Sequence, residues 1–141
     1  MKIYFAGSIR AGRENAATYS KIIGHLQKFG PVLTEHIGNP NLTSQGESLP
    51  EKEIYLRDLK LLAEADIVIA ELSTPSIGVG YEIRAAEELG KPIICLYRHQ
   101  EGKRLSTMIE GNSKLTIIRY ETPEDLLSKL DEHLTISWAI I

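Results

Sequence analysis

Residues 66–90 read DIVIAELSTPSIGVGYEIRAAEELG. The apolar, β-branched run Ile67-Val68-Ile69-Ala70 has the length and composition of a buried strand. From Tyr81 to Leu89 the apolar positions Ile83, Ala86 and Leu89 recur at helical spacing, and Gly90-Lys91-Pro92 stops the helix. Between them, STPSIGVG is a connection rich in Ser, Pro and Gly. A strand–loop–helix of this kind puts its loop at the carboxyl edge of a parallel sheet, where open α/β folds bind ligands. Glu82 stands at the helix start beside small residues that leave room for a substrate. It is the candidate chemical centre.

Outward from this unit the pattern repeats. Lys2 to Ala6 is a short apolar strand, followed by the turn GSIRAGR and a helix from about Glu14 to Phe29 with Ala17, Ile22, Ile23 and Leu26 on its apolar face. Val32-Leu33-Thr34 reads as a second strand. Residues 38–50, GNPNLTSQGESLP, form a long polar loop of the kind that covers a site as a mobile flap. Pro50 suits the first turn of a helix running to about Ala65, with Ile54, Leu59, Leu61 and Leu62 facing inward. Ile93 to Tyr97 is a fourth strand and Leu115 to Arg119 a fifth. Leu105 to Glu110 holds one helical turn or two, and Pro123 to Leu134 a last helix with Glu124 and Asp125 at its positive end. Strands alternating with helices imply parallel pairing through right-handed crossovers. The expectation is a single α/β domain over residues 1–141. Its fold would be a doubly wound, five-stranded Rossmann-like (flavodoxin-like) sheet of order 2-1-3-4-5.

The totals narrow the function. Apolar residues make up 43% and charged residues 25%, ordinary for a soluble globular protein. A net charge of −3 supplies no basic field for nucleic acid, so an anionic ligand must be held by local groups. The lone cysteine, Cys95, lies inside the apolar run Pro92 to Tyr97 and reads as a buried structural thiol. No apolar run approaches the roughly 18 residues of a membrane span. A strand opening at the second residue leaves no room for a signal peptide, so a cytoplasmic protein is expected. The apolar tail TISWAII could dock on the surface, join a subunit contact or be a remnant foreign to the natural chain.

Two small-residue loops meet at the switch point of such a sheet. Backbone N–H groups, the Ser8 hydroxyl and the Arg10 guanidinium suit a phosphate, and Ser76, Gly78 and Gly80 could add donors from the facing loop. Taken alone, GSIRAGR is neither a Walker loop nor a dinucleotide loop, and it could equally be a glycine turn with solvated arginines. Glu82 near a helix N-terminus would be kept ionised by the dipole, as a nucleophile must be. Asp58, on the preceding helix, could be a general acid or base, or a solvated surface acid. Tyr4, on the strand beside, could orient Glu82 or be a half-buried aromatic. His36 could line the site beneath the 38–50 loop or stand exposed in it. The four histidines show no metal-ligand spacing, and Ser106 has no partners for a hydrolase triad. No metal site is expected.

YFAGSIRAGRE, VLTEH, RDL, EADIVIAELSTPSIGVGYEI, GKPIICLYR and RLSTMI, in that order from the first strand to about Ile109, resemble the 2′-deoxynucleoside 5′-phosphate N-hydrolases. That family is a branch of the nucleoside 2-deoxyribosyltransferase superfamily. The resemblance implies hydrolysis of the bond between base and deoxyribose in a deoxynucleoside 5′-monophosphate, with no cofactor. By position, Glu82 matches the nucleophile, Asp58 the acid/base carboxylate and Tyr4 the residue that positions the nucleophile. Ser8, Arg10, Ser76 and Gly78 match phosphate contacts, while Gly7, Ile9 and His36 match residues around base and sugar. Ser106 and Met108 match positions that reach the neighbouring subunit's site, so a homodimer is implied. Base exchange between deoxynucleosides and non-catalytic nucleotide sensing are the competing functions.

Overall fold

The structure is a computed structural model that describes residues 1–140, with side chains to residue 135. Four apolar runs pair in parallel: β1 (Ile3–Ala6), β2 (Ile67–Glu71), β3 (Ile93–Arg98) and β4 (Thr116–Tyr120), in the order β1-β2-β3-β4. Each strand-to-strand connection passes through helix. These are α1 (Ala16–Leu26) and α2 (Glu51–Glu64) before β2, α3 (Ile77–Glu88) before β3, and the short α4 (Thr107–Glu110) before β4. The last helix, α5 (Pro123–Ile140), follows β4.

Period-two alternation sorts the side chains of the sheet into two cores. Ile3, Phe5, Ile67, Ile69, Ile94 and Leu96 pack with α1 and α5 residues such as Ile22, Leu26, Leu126 and Leu130. Tyr4, Ala6, Val68, Ala70 and Cys95 face the other way, onto Leu62, Val79, Ile83 and Ala86 of α2 and α3. On α1 the expected Ala17 is exposed, and Thr18 and Tyr19 take the buried positions instead. On α2 only Leu62 is fully buried, because the helix turns most of its length toward a cleft and solvent.

The expected five strands are four. Val32 makes an isolated parallel bridge with Ile3, where Ile3 N–H donates to the Pro31 carbonyl at 2.9 Å and Leu33 N–H to the Ile3 carbonyl at 2.8 Å. The ladder then ends because a side chain replaces it. The Thr34 hydroxyl accepts from Phe5 N–H at 2.9 Å and donates to the Phe5 carbonyl at 2.6 Å. With both edge groups of Phe5 satisfied, the chain leaves the sheet in a 3₁₀ turn, Glu35–Gly38. The short segment still sits on the far side of β1, where the 2-1-3-4-5 order puts its second strand.

The second revision concerns STPSIGVG. The helix starts at Ile77, four residues ahead of its expected start, with Ser76 as N-cap: its Oγ accepts from Val79 N–H at 3.3 Å. Val79 is buried, which anchors this glycine-containing first turn. Gly78 and Gly80 therefore lie within the helix rather than in the loop. The tail TISWAII continues α5 as far as Ile140, and beyond Thr135 it lies outside the described side chains.

Thr34→Val keeps the shape of the side chain and leaves two buried backbone groups of Phe5 unpaired. A loss of about 1–3 kcal/mol in unfolding free energy is expected from chemical denaturation. An unchanged midpoint would show that the hydroxyl is not what ends the ladder.

Candidate active site

A cleft of about 720 Å³ opens at the carboxyl edge of the sheet, between the turn after β1 and the start of α3. Glu82 lines it, together with Gly7, Ile9, Arg10, Ser76 and Gly78. Gly7 is required by its neighbours: a Cβ there would stand 2.9 Å from the Tyr19 ring and 3.1 Å from that of Phe5. At Gly80 a Cβ would meet nothing, so that glycine leaves open space on the α3 surface.

Glu82 is held from the sheet. The Tyr4 hydroxyl, on the strand face turned toward α3, donates a hydrogen bond to Glu82 Oε2. Burial, reinforced by the facing Glu82, pushes the Tyr4 hydroxyl far above its usual range, so it stays a donor. The same burial pushes the Glu82 carboxyl up to about 7, with the Tyr4 bond opposing and the Asp58 charge reinforcing the rise. The sequence places Glu82 where the helix dipole would hold it ionised. Glu82 instead sits in the second turn of α3, past the reach of that effect, and desolvation prevails.

The connection between β2 and α3 is pinned on both sides. Glu71, fully buried, accepts from Ser73 N–H at 2.5 Å, from Ser73 Oγ at 2.9 Å and from the Tyr120 hydroxyl. From α1's end, Asn15 Nδ2 donates to Thr74 Oγ1 at 2.9 Å. These contacts fix the segment that carries Ser76.

Asp58 and His36 cluster with Arg57 and with Glu47 of the cleft lining, and the Asp58 charge is felt at both Tyr4 and Glu82. Asp58 Oδ1 accepts from Arg57 Nε at 3.0 Å and Nη2 at 2.8 Å. Arg57 also donates to both carboxylate oxygens of Glu47, at 2.6 and 2.8 Å. Of the two places open to His36, it takes the less exposed one, with Nε2 3.5 Å from Arg57 Nη2 and 3.7 Å from Glu47 Oε2. Burial pushes its imidazole below the usual range, which keeps the ring neutral at neutral pH. Residues 39–50 thus form a strapped cover, tied at the other end where Arg13 donates to the carbonyls of Leu42 at 2.9 Å and Asn39 at 3.1 Å. The reading of Arg13 as a solvated arginine fails here, since it also stacks over the Tyr19 ring at 5.7 Å.

The remaining candidates divide. Arg10 stands exposed at the rim, 3.6 Å from Glu51. Ser8 is buried: its N–H donates to the Tyr19 hydroxyl and its Oγ to the Gly12 carbonyl at 2.7 Å, so the side chain does not face the cleft. Ser106 and Met108 line a separate groove of about 920 Å³ between α3 and α4, which shares Pro75, Ser76 and Ile77 with the cleft. Met108 is 80% exposed and Ile77 93%. Glu47, Tyr55 and Ile54 also line the cleft and Arg57 braces Glu47, none of which the sequence marks as a site residue. Only the adjacency of Arg57 to Asp58 signals one of them in the sequence. Among the described residues no three or more His, Cys, Asp or Glu side chains form a metal-binding group. No helix among them is long and apolar enough to cross a membrane.

Residues 3–117 match the family model described as nucleoside 2-deoxyribosyltransferase. The chain belongs to this family. A relative in Mus musculus, named 5-hydroxymethyl-dUMP N-hydrolase, is 50% identical over 111 residues, which are 77% of this chain and 64% of the mouse protein. A Nematostella vectensis protein, provisionally named 2′-deoxynucleoside 5′-phosphate N-hydrolase 1, is 48% identical over 89% of this chain and 88% of its own. Among solved structures, a Clostridium botulinum CMP N-glycosidase superposes with a TM-score of 0.71 at 23% identity, covering 94% of this chain and 99% of that one. At that identity the likeness speaks for the fold.

For this deoxyribosyltransferase-family site, carboxyl-carbon NMR should follow Glu82 through a midpoint near 7. Because the Tyr4 bond favours the ionised form, Tyr4→Phe should move the midpoint to higher pH. A Glu82 midpoint in the ordinary carboxylate range would contradict the burial described here.

Proposed function

We propose that this chain hydrolyses the N-glycosidic bond of 2′-deoxynucleoside 5′-monophosphates, releasing free base and 2-deoxyribose 5-phosphate. The observation that carries the reading is Glu82, a desolvated carboxyl aimed by Tyr4 into a cleft rimmed by Arg10 and Ser76. The names of relatives up to 50% identical point the same way.

In the first step ionised Glu82 attacks C1′, the C1′–N bond breaks, and the base departs with the electron pair and takes up a solvent proton relayed through Asp58. The Tyr4 hydroxyl keeps the attacking carboxylate oriented while its charge is consumed. In the second step Asp58 takes a proton from water, the water oxygen attacks C1′, and Glu82 leaves as carboxylate. Substrate phosphate is assigned to Arg10 and to the first turn of α3 at Ser76 and Gly78. The exposed Arg10–Glu51 pair is of a kind worth little, so a phosphate displaces Glu51 readily. Gly7, Ile9 and His36 are assigned to the base and sugar side. Ser8 supports the turn from behind.

A homodimer belongs to the proposal, with Ser106 and Met108 of each chain serving the neighbour's site. The exposed Ile77 and Met108 beside the apolar groove favour it. A cytoplasmic location fits the buried thiol of Cys95. Base exchange shares the first step and differs in the acceptor, so adding a second free base distinguishes it through the appearance of a new nucleotide.

Purified protein incubated with a panel of deoxynucleoside monophosphates should yield base and deoxyribose 5-phosphate. The value of kcat/KM should rise with pH through about 7, as Glu82 loses its proton. Release of no base from any member by folded protein would refute the reading. Glu82→Gln should lower turnover roughly a thousandfold or more. Arg10→Ala should raise KM for monophosphates roughly ten- to a hundredfold, with little effect on free nucleosides. Equal losses for both substrate types would make Arg10 structural.

A further inference from the structure

One guanidinium joins the cover of the cleft to Asp58. Arg57 places both Nη groups on the two oxygens of Glu47, in the 39–50 segment, and places Nε and Nη2 on Asp58 Oδ1. No hydrogen bond from a described residue reaches the other Asp58 oxygen, Oδ2. Glu47 itself lines the cleft, and its side chain is only 17% exposed. The planar fork of an arginine fixes both partners in one geometry, which a lysine cannot do. His36 closes the cluster from the 3₁₀ turn.

We propose that Arg57 is a positioning residue for the glycosidic cleavage, locking Asp58 by Oδ1 so that Oδ2 alone serves the leaving base, and doing so only while Glu47 holds the cover down. This rests on the function proposed above. Covering the cleft and aiming the acid/base carboxylate are then one event. A nucleotide that seats the 39–50 segment also sets Asp58. Glu47 acts through Arg57.

The test measures kcat and KM for deoxynucleoside monophosphates in Arg57→Gln, Arg57→Lys, Glu47→Gln and the Arg57→Gln/Glu47→Gln double variant, with thermal unfolding and Asp58→Asn as references. A misplaced catalytic group costs about a hundredfold. Arg57→Gln should therefore lower kcat by about that factor, with a smaller change in KM. Arg57→Lys should fall with it, since charge without the fork does not orient Asp58. Glu47→Gln should lower kcat in the same direction, and the double variant should lose no more than Arg57→Gln alone, the mark of residues acting as one unit. In the Asp58→Asn background, Arg57→Gln should cost nothing further. Unchanged kcat with a raised KM would make Arg57 a plain latch and overturn the proposal. Full activity in Arg57→Lys, or additive losses in the double variant, would overturn it as well. If the parent chain releases no base, the functional reading fails first; if the parent turns over and Arg57→Gln matches it, this inference fails alone.

Discussion

The hydrogen bond from Tyr4 to Glu82 ties the first strand to the third helix, and the site depends on it. It exists because Tyr4 points to the α2–α3 face of the sheet, in register with Val68 of β2. A slip of one residue would turn Tyr4 toward α1 and α5 and bring Ile3 or Phe5 beneath Glu82. Parallel pairing of β1 with β2 is therefore a condition of the proposed chemistry as well as of the core. The bond also orients a carboxyl that burial would otherwise leave without a protein donor.

Two glutamates near the cleft differ in how the protein occupies their oxygens. Glu71 accepts three hydrogen bonds from Ser73 and Tyr120, and its oxygens are occupied by the protein. Glu82 accepts one, on Oε2. A carboxylate has about four lone-pair sites, so Glu82 retains capacity facing an open cleft. Burial raises both above their usual range. Glu71 pins the connection into α3, whereas Glu82 keeps acceptor sites open toward the cleft. Rigidity on one side of the cleft is matched by a cover on the other that is held by arginines rather than by a packed core.

The parts of this architecture governed by local patterning were readable before any coordinates. The four strands of the sheet are short and largely apolar, and each lies where its composition puts a strand. Glu82, Arg10, Ile9, Gly7, Ser76 and Gly78 converge on one cleft, as two loops at a switch point should. What escaped reading depends on particular side-chain contacts rather than on periodicity. Val32-Leu33-Thr34 has strand composition, yet the Thr34 hydroxyl satisfies Phe5 and ends the ladder. Glycines at 78 and 80 disguised the first turn of α3, which tertiary burial of Val79 stabilises. Ser8 reads as an anion donor but serves Gly12, and Arg13 reads as solvated but straps the cover. The Arg57–Glu47 fork spans a loop and a helix, so no periodicity announces it.

The central claim is that the Glu82 carboxylate forms a covalent bond to the sugar during turnover. Rapid acid quench of the enzyme with excess deoxynucleoside monophosphate, followed by peptide mass analysis, tests this directly. The account predicts that the peptide containing Glu82 gains the mass of one deoxyribose phosphate residue, and that this species disappears as the sugar phosphate is released. Steady base release with the adduct on another carboxylate, or with no adduct when hydrolysis of the intermediate is slowed, would contradict it.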